Sequence, residues 1–420
     1  MFCRNCGKQI EEGRKFCPFC GADQAAPVAV AGAQPPPGGN KRGMKTATIV
    51  IIVIVAVLVL AGAAVGIYFG VTGSSDNSKP VTSTGTKPSS SKLNPTPVEP
   101  STAKVEKIAY LNNKDIYVVN LDGTGRQMLT NRADIVDFAV SPTGAMMAFV
   151  AEKGSGQNTQ HVIFKMNADG TGVSQVTLPE KGIVDNPAFD PTGKYIYFTR
   201  VTPQDQANIQ AGKPFSTGFE RYNIAANSVD HIYSYGGMQE ESISGLFPDP
   251  ASGNLYFNRY GSDFPSSIPY ELTLGASPTA TVYMPMVTNS PGFTVIAYQL
   301  TGFSMDGAYL TYFKQALATD ASGPQISACY KLLSTGEETS VASYTQSQSS
   351  QGNVAGMQFS SVDTNKYYYS KVAAVGPGSA WTFDFYKGTT NGTQSAAGLS
   401  VTVANAENTD FIWHPLAVQK

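Results

Sequence analysis

The chain has 420 residues, more than one ordinary domain, with 14% charged residues and a formal net charge of -2. That balance exerts no general pull on polyanions, so no nucleic-acid partner is expected. Four of the five cysteines fall within the first twenty residues and Cys329 stands alone, which excludes a disulfide framework for the large C-terminal part.

In MFCRNCGKQIEEGRKFCPFCGA, Cys3 and Cys6 are separated by ten residues from Cys17 and Cys20. Each C-x2-C pair predicts a tight knuckle, with Gly7 and Gly21 permitting the turn that aims two sulfurs at one ion. Residues 1–22 hold too little apolar surface for a core, so metal binding must supply the folding free energy, on the order of 10 kcal/mol. The segment resembles the small bacterial zinc-ribbon family through its C-x-x-C-G and C-P-x-C-G halves. Rubredoxins, which hold iron, share both knuckles but space the pairs much further apart. A structural Zn2+ on Cys3, Cys6, Cys17 and Cys20 is the expected cofactor, and four protein ligands leave no open position for catalysis.

Residues 23–45 run through Ala, Pro and Gly without apolar period and read as a flexible linker. Residues 46–70, TATIVIIVIVAVLVLAGAAVGIYFG, carry no charge. At about 1.5 Å per residue they match a hydrocarbon core of roughly 30 Å, which predicts a transmembrane helix in contact with membrane lipid. The segment starts too late and runs too long for a signal peptide. Lys41, Arg42 and Lys45 precede it, which places the N-terminus in the cytoplasm and the large C-terminal part outside the plasma membrane. Reduced thiols in the cytoplasm agree with that orientation. Gly62, Gly66 and Gly70 share one helix face and would permit a homodimer. Residues 71–103, rich in Ser, Thr and Pro, predict a stalk.

Residues 104–420 contain a repeat. LDGTGRQMLT at 121–130 matches ADGTGVSQVT at 168–177, and FAVSPTGAMMAFV at 138–150 matches PAFDPTGKYIYFTR at 187–200. Weaker copies stand at 246–259, 301–314 and 357–371, and a last one at IWHPL, 412–416. Val140, Phe189, Phe247, Phe303, Phe359 and Trp413 occupy the equivalent position before a Pro/Asp/Gly turn. Six copies predict an all-β, six-bladed β-propeller, with seven blades the alternative count. The last copy lacks an outgoing strand, while KIAYLNN at 107–113 resembles the missing one, so the N-terminal strand is expected to complete the final blade.

The repeat is similar to that of the TolB-like (WD40-like PD40) propellers, in which a D-G turn leads to L-T and then to a W-S-P-D-G turn. This resemblance implies the fold and leaves the function open; the D-G-T-G and L-T elements stand only in the first two units. No nucleophile elbow, H-E-x-x-H, P-loop or EF-hand loop is present, and no enzymatic activity is expected. His161, His231 and His414 fall in different units and read as strand or turn residues, Cys329 reads as core, and Asp122, Asp169 and Asp306 read as turn residues rather than Ca2+ ligands. The segments 201–218 and 285–293 exceed what a blade needs and are the expected recognition surface. The function expected is that of a membrane-anchored scaffold binding an extracytoplasmic protein or glycan. A signalling receptor and a propeller hydrolase or lyase are the alternatives.

Overall fold

The computed structural model describes residues 104–154, 159–237, 242–260, 267–290, 293–318, 324–345, 353–375, 380–403 and 411–419. The expectations for Cys3, Cys6, Cys17 and Cys20, for the helix at 46–70 and for Gly62, Gly66 and Gly70 lie outside these residues. No helix among the described residues is long and apolar enough to cross a membrane.

The described residues form six antiparallel sheets. Blade 1 holds β1 (Lys104–Asn112), β2 (Asp115–Asn120) and β3 (Gln127–Met128). Blade 2 holds β4 (Ile135–Val140), β5 (Met146–Lys153), β6 (Gln160–Asn167) and β7 (Ser174–Gln175). Blade 3 holds β8 (Ile183–Phe189), β9 (Tyr195–Val201), a helix α1 (Pro203–Gln210), β10 (Phe215–Asn223) and β11 (Ser228–Gly237). Blade 4 holds β12 (Ser242–Pro248), β13 (Leu255–Tyr260), β14 (Ile268–Thr273) and β15 (Thr279–Val282). Blade 5 has five strands, β16 (Val287–Ser290), β17 (Phe293–Phe303), β18 (Tyr309–Ala318), β19 (Pro324–Leu332) and β20 (Glu338–Thr345). Blade 6 holds β21 (Val354–Phe359), β22 (Lys366–Val375), β23 (Trp381–Thr389) and β24 (Gln394–Val403). The last strand, β25 (Trp413–Gln419), pairs with β1.

The inner strands β4, β8, β12, β17, β21 and β25 touch in that order and return to β4, closing a six-bladed ring. Each blade is covered on both faces, so its strands are apolar on both sides. Ile108 and Tyr110 of β1 pack with Tyr368, Phe383 and Trp413 toward blade 6, whereas Ala109 packs with Phe138 and Phe149 toward blade 2. The run Tyr367, Tyr368, Tyr369 divides in the same way, the outer two facing blade 5 and the middle one blade 1. One apolar cluster fills each of the six blade junctions.

The closure expected from the sequence is present, with its register corrected. Lys107 pairs with Asn120 at the head of a D-G-T-G turn as Met146 pairs with Asn167, so Ile108 is the equivalent of Met147. Met147 faces Val140, and Ile108 faces Pro415. The pre-turn position of blade 1 is therefore Pro415, and Trp413 corresponds to Phe138. The interval from Phe359 becomes 415 − 359 = 56, equal to 359 − 303 = 56 for the preceding pair. The H-P dipeptide imitates the turn entries S-P and D-P, but this strand needs no turn, because its partner arrives from the other end of the domain. Pro415 is tolerated because β25 is an inner edge strand with a free side.

A buried carboxylate clasps the seam. Glu106 of β1 accepts hydrogen bonds from Ser360 Oγ at 2.8 Å, Ser361 N at 2.6 Å, Ser361 Oγ at 3.0 Å and Tyr368 OH at 2.5 Å, all in blade 6. Trp413 Nε1 donates to Ser370 Oγ at 3.1 Å in the same blade.

Candidate binding site at one end of the ring

In an antiparallel four-stranded blade, the connections between first and second and between third and fourth strands lie at one end of the ring. At that end the turns are tight and self-contained. Asp122 Oδ1 accepts from Thr124 N and Oγ, Asp169 Oδ1 does the same with Thr171, and Asp306 Oδ1 accepts from Ser304 Oγ and Ala308 N. These three carboxylates thus serve their own turns. Asp122 and Asp169 are held below the usual carboxylate range by the threonine hydrogen bonds.

The opposite end carries the other connections and both segments singled out from the sequence. Segment 201–218 contains α1. Thr202 caps it by accepting Asp205 N at 3.1 Å, Pro203 opens it, and Asp205 Oδ1 accepts Ser216 N at 3.0 Å to tie it to β10. The T-P-x-D spelling is a helix-start signal that sequence reading passed over. None of the helix residues is buried, so α1 contributes surface and no core. Segment 285–293 supplies β16, which pairs with the start of β17 and adds a fifth strand on the inner side of blade 5.

The inner strands of blades 2 to 6 each contain a bulge. The register slips between Ile135 and Asp137, Asp185 and Ala188, Ser244 and Leu246, Leu300 and Gly302, and Val354 and Gly356. A bulge re-aims the side chains beside it. Asn186, with φ +57, spans to blade 4, accepting Gly245 N at 2.7 Å and donating to Ile243 O at 3.3 Å. Asn258 of blade 4 grips the backbone of Leu300 in blade 5 through both its amide atoms, at 2.8 and 2.9 Å.

Between blades 2 and 3 the bulges bring acids together. Asp185 Oδ1 lies 2.7 Å from His161 Nδ1. Burial, and then the Asp185 charge, push the Asp137 carboxyl up to about 7. Burial pulls the His161 imidazole down, but the hydrogen bond and charge of Asp185, with Glu152 adding to them, outweigh it and the net shift is upward. This sector thus joins a carboxyl that holds its proton more tightly than usual to an imidazole made more basic than usual. Such a group can accept a hydrogen bond, donate one, or pair with a cation. Sequence reading missed Asp137 and Asp185, because nothing local marks a bulge; the D-N-P at 185–187 is the nearest hint.

The three histidines do not converge. His161 lies in β6, His231 in β11 and His414 in β25. His414 is enclosed, burial pulls its pKa down to about 4, and its Nε2 stands 2.9 Å from Phe138 O across the blade 1 to blade 2 junction. Cys329 is buried against Tyr312, and burial with the Glu338 charge pushes its thiol up to about 12, the opposite of an activated nucleophile. Among the described residues, no three His, Cys, Asp or Glu side chains are grouped to hold a metal ion.

Residues 2–23 match the zinc-ribbon domain family. No curated protein matches the chain. Among solved structures, TolB from Acinetobacter baumannii is similar at 13% identity and a TM-score of 0.44, over 75% of this chain and 64% of that one. An oligogalacturonate lyase in complex with manganese is similar at 11% and 0.45, over 67% and 69%. Hydrazine synthase of Kuenenia stuttgartiensis is similar at 14% and 0.47, over 76% and 47%. The chain spans less than two thirds of the TolB chain, and likeness at these identities concerns the fold alone.

Proposed function

We propose that the chain is a membrane-anchored binding protein whose β-propeller receives an extracytoplasmic protein or glycan at the end that carries α1 and β16. Cys3, Cys6, Cys17 and Cys20 hold a structural Zn2+ in the cytoplasm, residues 46–70 cross the plasma membrane, and Gly62, Gly66 and Gly70 are the face available for self-association. The observation that carries the reading is the inequality of the two ends. One is finished with tight turns whose polar groups bond one another, and the other carries a helix with no buried residue and an added strand.

A photo-crosslinking residue placed at Ala207 in α1, compared with one at Ala251 in a tight turn of the other end, tests this in intact cells. Discrete adducts at position 207 and none at 251 are expected; adducts at 251 alone would place recognition on the wrong end. The zinc assignment has its own measurement. Purified chain should carry one zinc per molecule and Cys17→Ser should carry none, while full metal retention by the variant would contradict it.

A further inference from the structure

Blade 3 holds a second polar constellation, on its outer strands. Successive residues of a strand point to opposite faces, so positions 231 and 234 would ordinarily face apart. Here the register passes from Phe219 opposite Tyr233 to Glu220 opposite His231, which leaves Ile232 as an extra residue. The bulge sets His231 opposite Glu220 and Ser234 opposite Gly218, on one face. A Cβ at Gly218 would come within 3.0 Å of Glu220 Oε1 and 3.5 Å of His231 Cε1, so the glycine keeps open the space in which the side chains meet.

Ser234 Oγ lies 3.0 Å from His231 Nε2, and His231 Nδ1 lies 3.2 Å from Glu220 Oε1. Glu220 is 1% exposed and is held by Arg200, whose Nε and Nη2 donate to the same oxygen at 3.1 and 2.8 Å. A carboxylate only accepts, so Nδ1 carries the imidazole proton. Nε2 is then left as the acceptor for the serine hydroxyl. A hydroxyl, a base within reach and a third group orienting the base are the parts of an activated nucleophile. His231 and Ser234 are exposed, so a substrate reaches both without displacing protein.

We propose that Ser234 is a base-activated nucleophile that accepts the acyl group of an activated carboxylic ester. Ser234 Oγ bonds to the ester carbonyl carbon as its proton passes to His231 Nε2. The bond from that carbon to the leaving oxygen then breaks, and the same proton goes to that oxygen. Water repeats the sequence on the acyl-serine, releasing the acid and restoring the hydroxyl. As the outer edge strand of its sheet, β11 has alternate N–H groups without a ladder partner, and these are the donors at hand for the tetrahedral oxyanion. Arg200 shares the charge of Glu220, so the carboxylate orients the ring more than it stabilises an imidazolium, and turnover is slow. The proposal is independent of the recognition end described above.

The test uses the full-length chain in detergent micelles with 4-nitrophenyl acetate and peptide mass mapping. Acetylation of Ser234 is expected in the wild type and should fall at least about tenfold in His231→Gln, with thermal melts confirming that the variant folds. A second arm does not depend on an oxyanion site. Alkylation of the thiol in Ser234→Cys by iodoacetamide at pH 7 should be about tenfold faster than in Ser234→Cys with His231→Gln. Equal alkylation rates in the two cysteine variants would overturn the proposal, as would Ser234 acetylation that His231→Gln leaves unchanged.

Discussion

Asp137 shows how a single carboxyl writes itself into the stability of the ring. Its folded pKa of about 7 lies above the ordinary carboxylate value, so the native state holds the proton more tightly than the unfolded chain does. That advantage is complete at low pH and is lost as pH rises from about 4 to about 7. Asp137→Asn, neutral throughout, should therefore exceed the wild type in stability by on the order of 4 kcal/mol at pH 8 and match it near pH 4. Urea denaturation at the two pH values checks this, and an equal difference at both would show that the charge is not the cause. Glu106 is buried too, and its carboxyl accepts hydrogen bonds from three residues of blade 6. Glu106→Ala strands Ser360, Ser361 and Tyr368 and should cost about 2–4 kcal/mol by the same measurement. At this scale the sequence disclosed the roles that local chemistry sets, such as Asp122 and Asp169 in their D-G turns and Cys329 in the core. Asp137, Asp185, Glu106 and Ser234 were not legible, because each acquires its partner from a strand far away in the chain or across a bulge.

At the scale of the element, the seam leaves a mark on the neighbouring turn. Blade 2 turns at Gly144, with φ +72, and blade 3 at the equivalent Gly193, with φ +70. A Cβ at Gly193 meets only a methyl at 4.0 Å, whereas one at Gly144 would stand 1.8 Å from Ala417 O, because β25 runs on where other inner strands turn back. Both alanine variants carry the backbone strain of a left-handed residue, on the order of 1 kcal/mol. Gly144→Ala should lose several kcal/mol more, read as the difference between their melting curves, since a backbone carbonyl cannot swing aside. Repeat spacing made the blades themselves legible, and the doubly apolar strands are its consequence. Segments 201–218 and 285–293 stood out by length, yet their content, a capped helix and a hairpin, lay in short signals at T-P-x-D and N-S-P-G that a repeat-based reading treats as loop. The five bulges had no sequence signal, since a bulge is a property of a pair of strands.

At the scale of the whole molecule, the ring is sealed by the two ends of its own domain. Without β25, blade 1 would lose its inner strand and Ile108, Tyr110 and Ala109 would lose their cover on two junctions at once. The sequence made the seal visible because KIAYLNN repeats an outgoing strand that the last copy lacks. It misplaced the register by two residues because His414–Pro415 copies the spelling of a turn without being one. The most direct test is a disulfide between Val105→Cys and Val418→Cys, which face each other across the seam. Directly paired antiparallel residues have Cα atoms about 4.5–5.5 Å apart, inside the range a disulfide spans. Mild oxidation of the full chain should join these two positions within one molecule and raise its melting temperature. Failure to form the bond, or bonds formed only between two molecules, would contradict the closed ring.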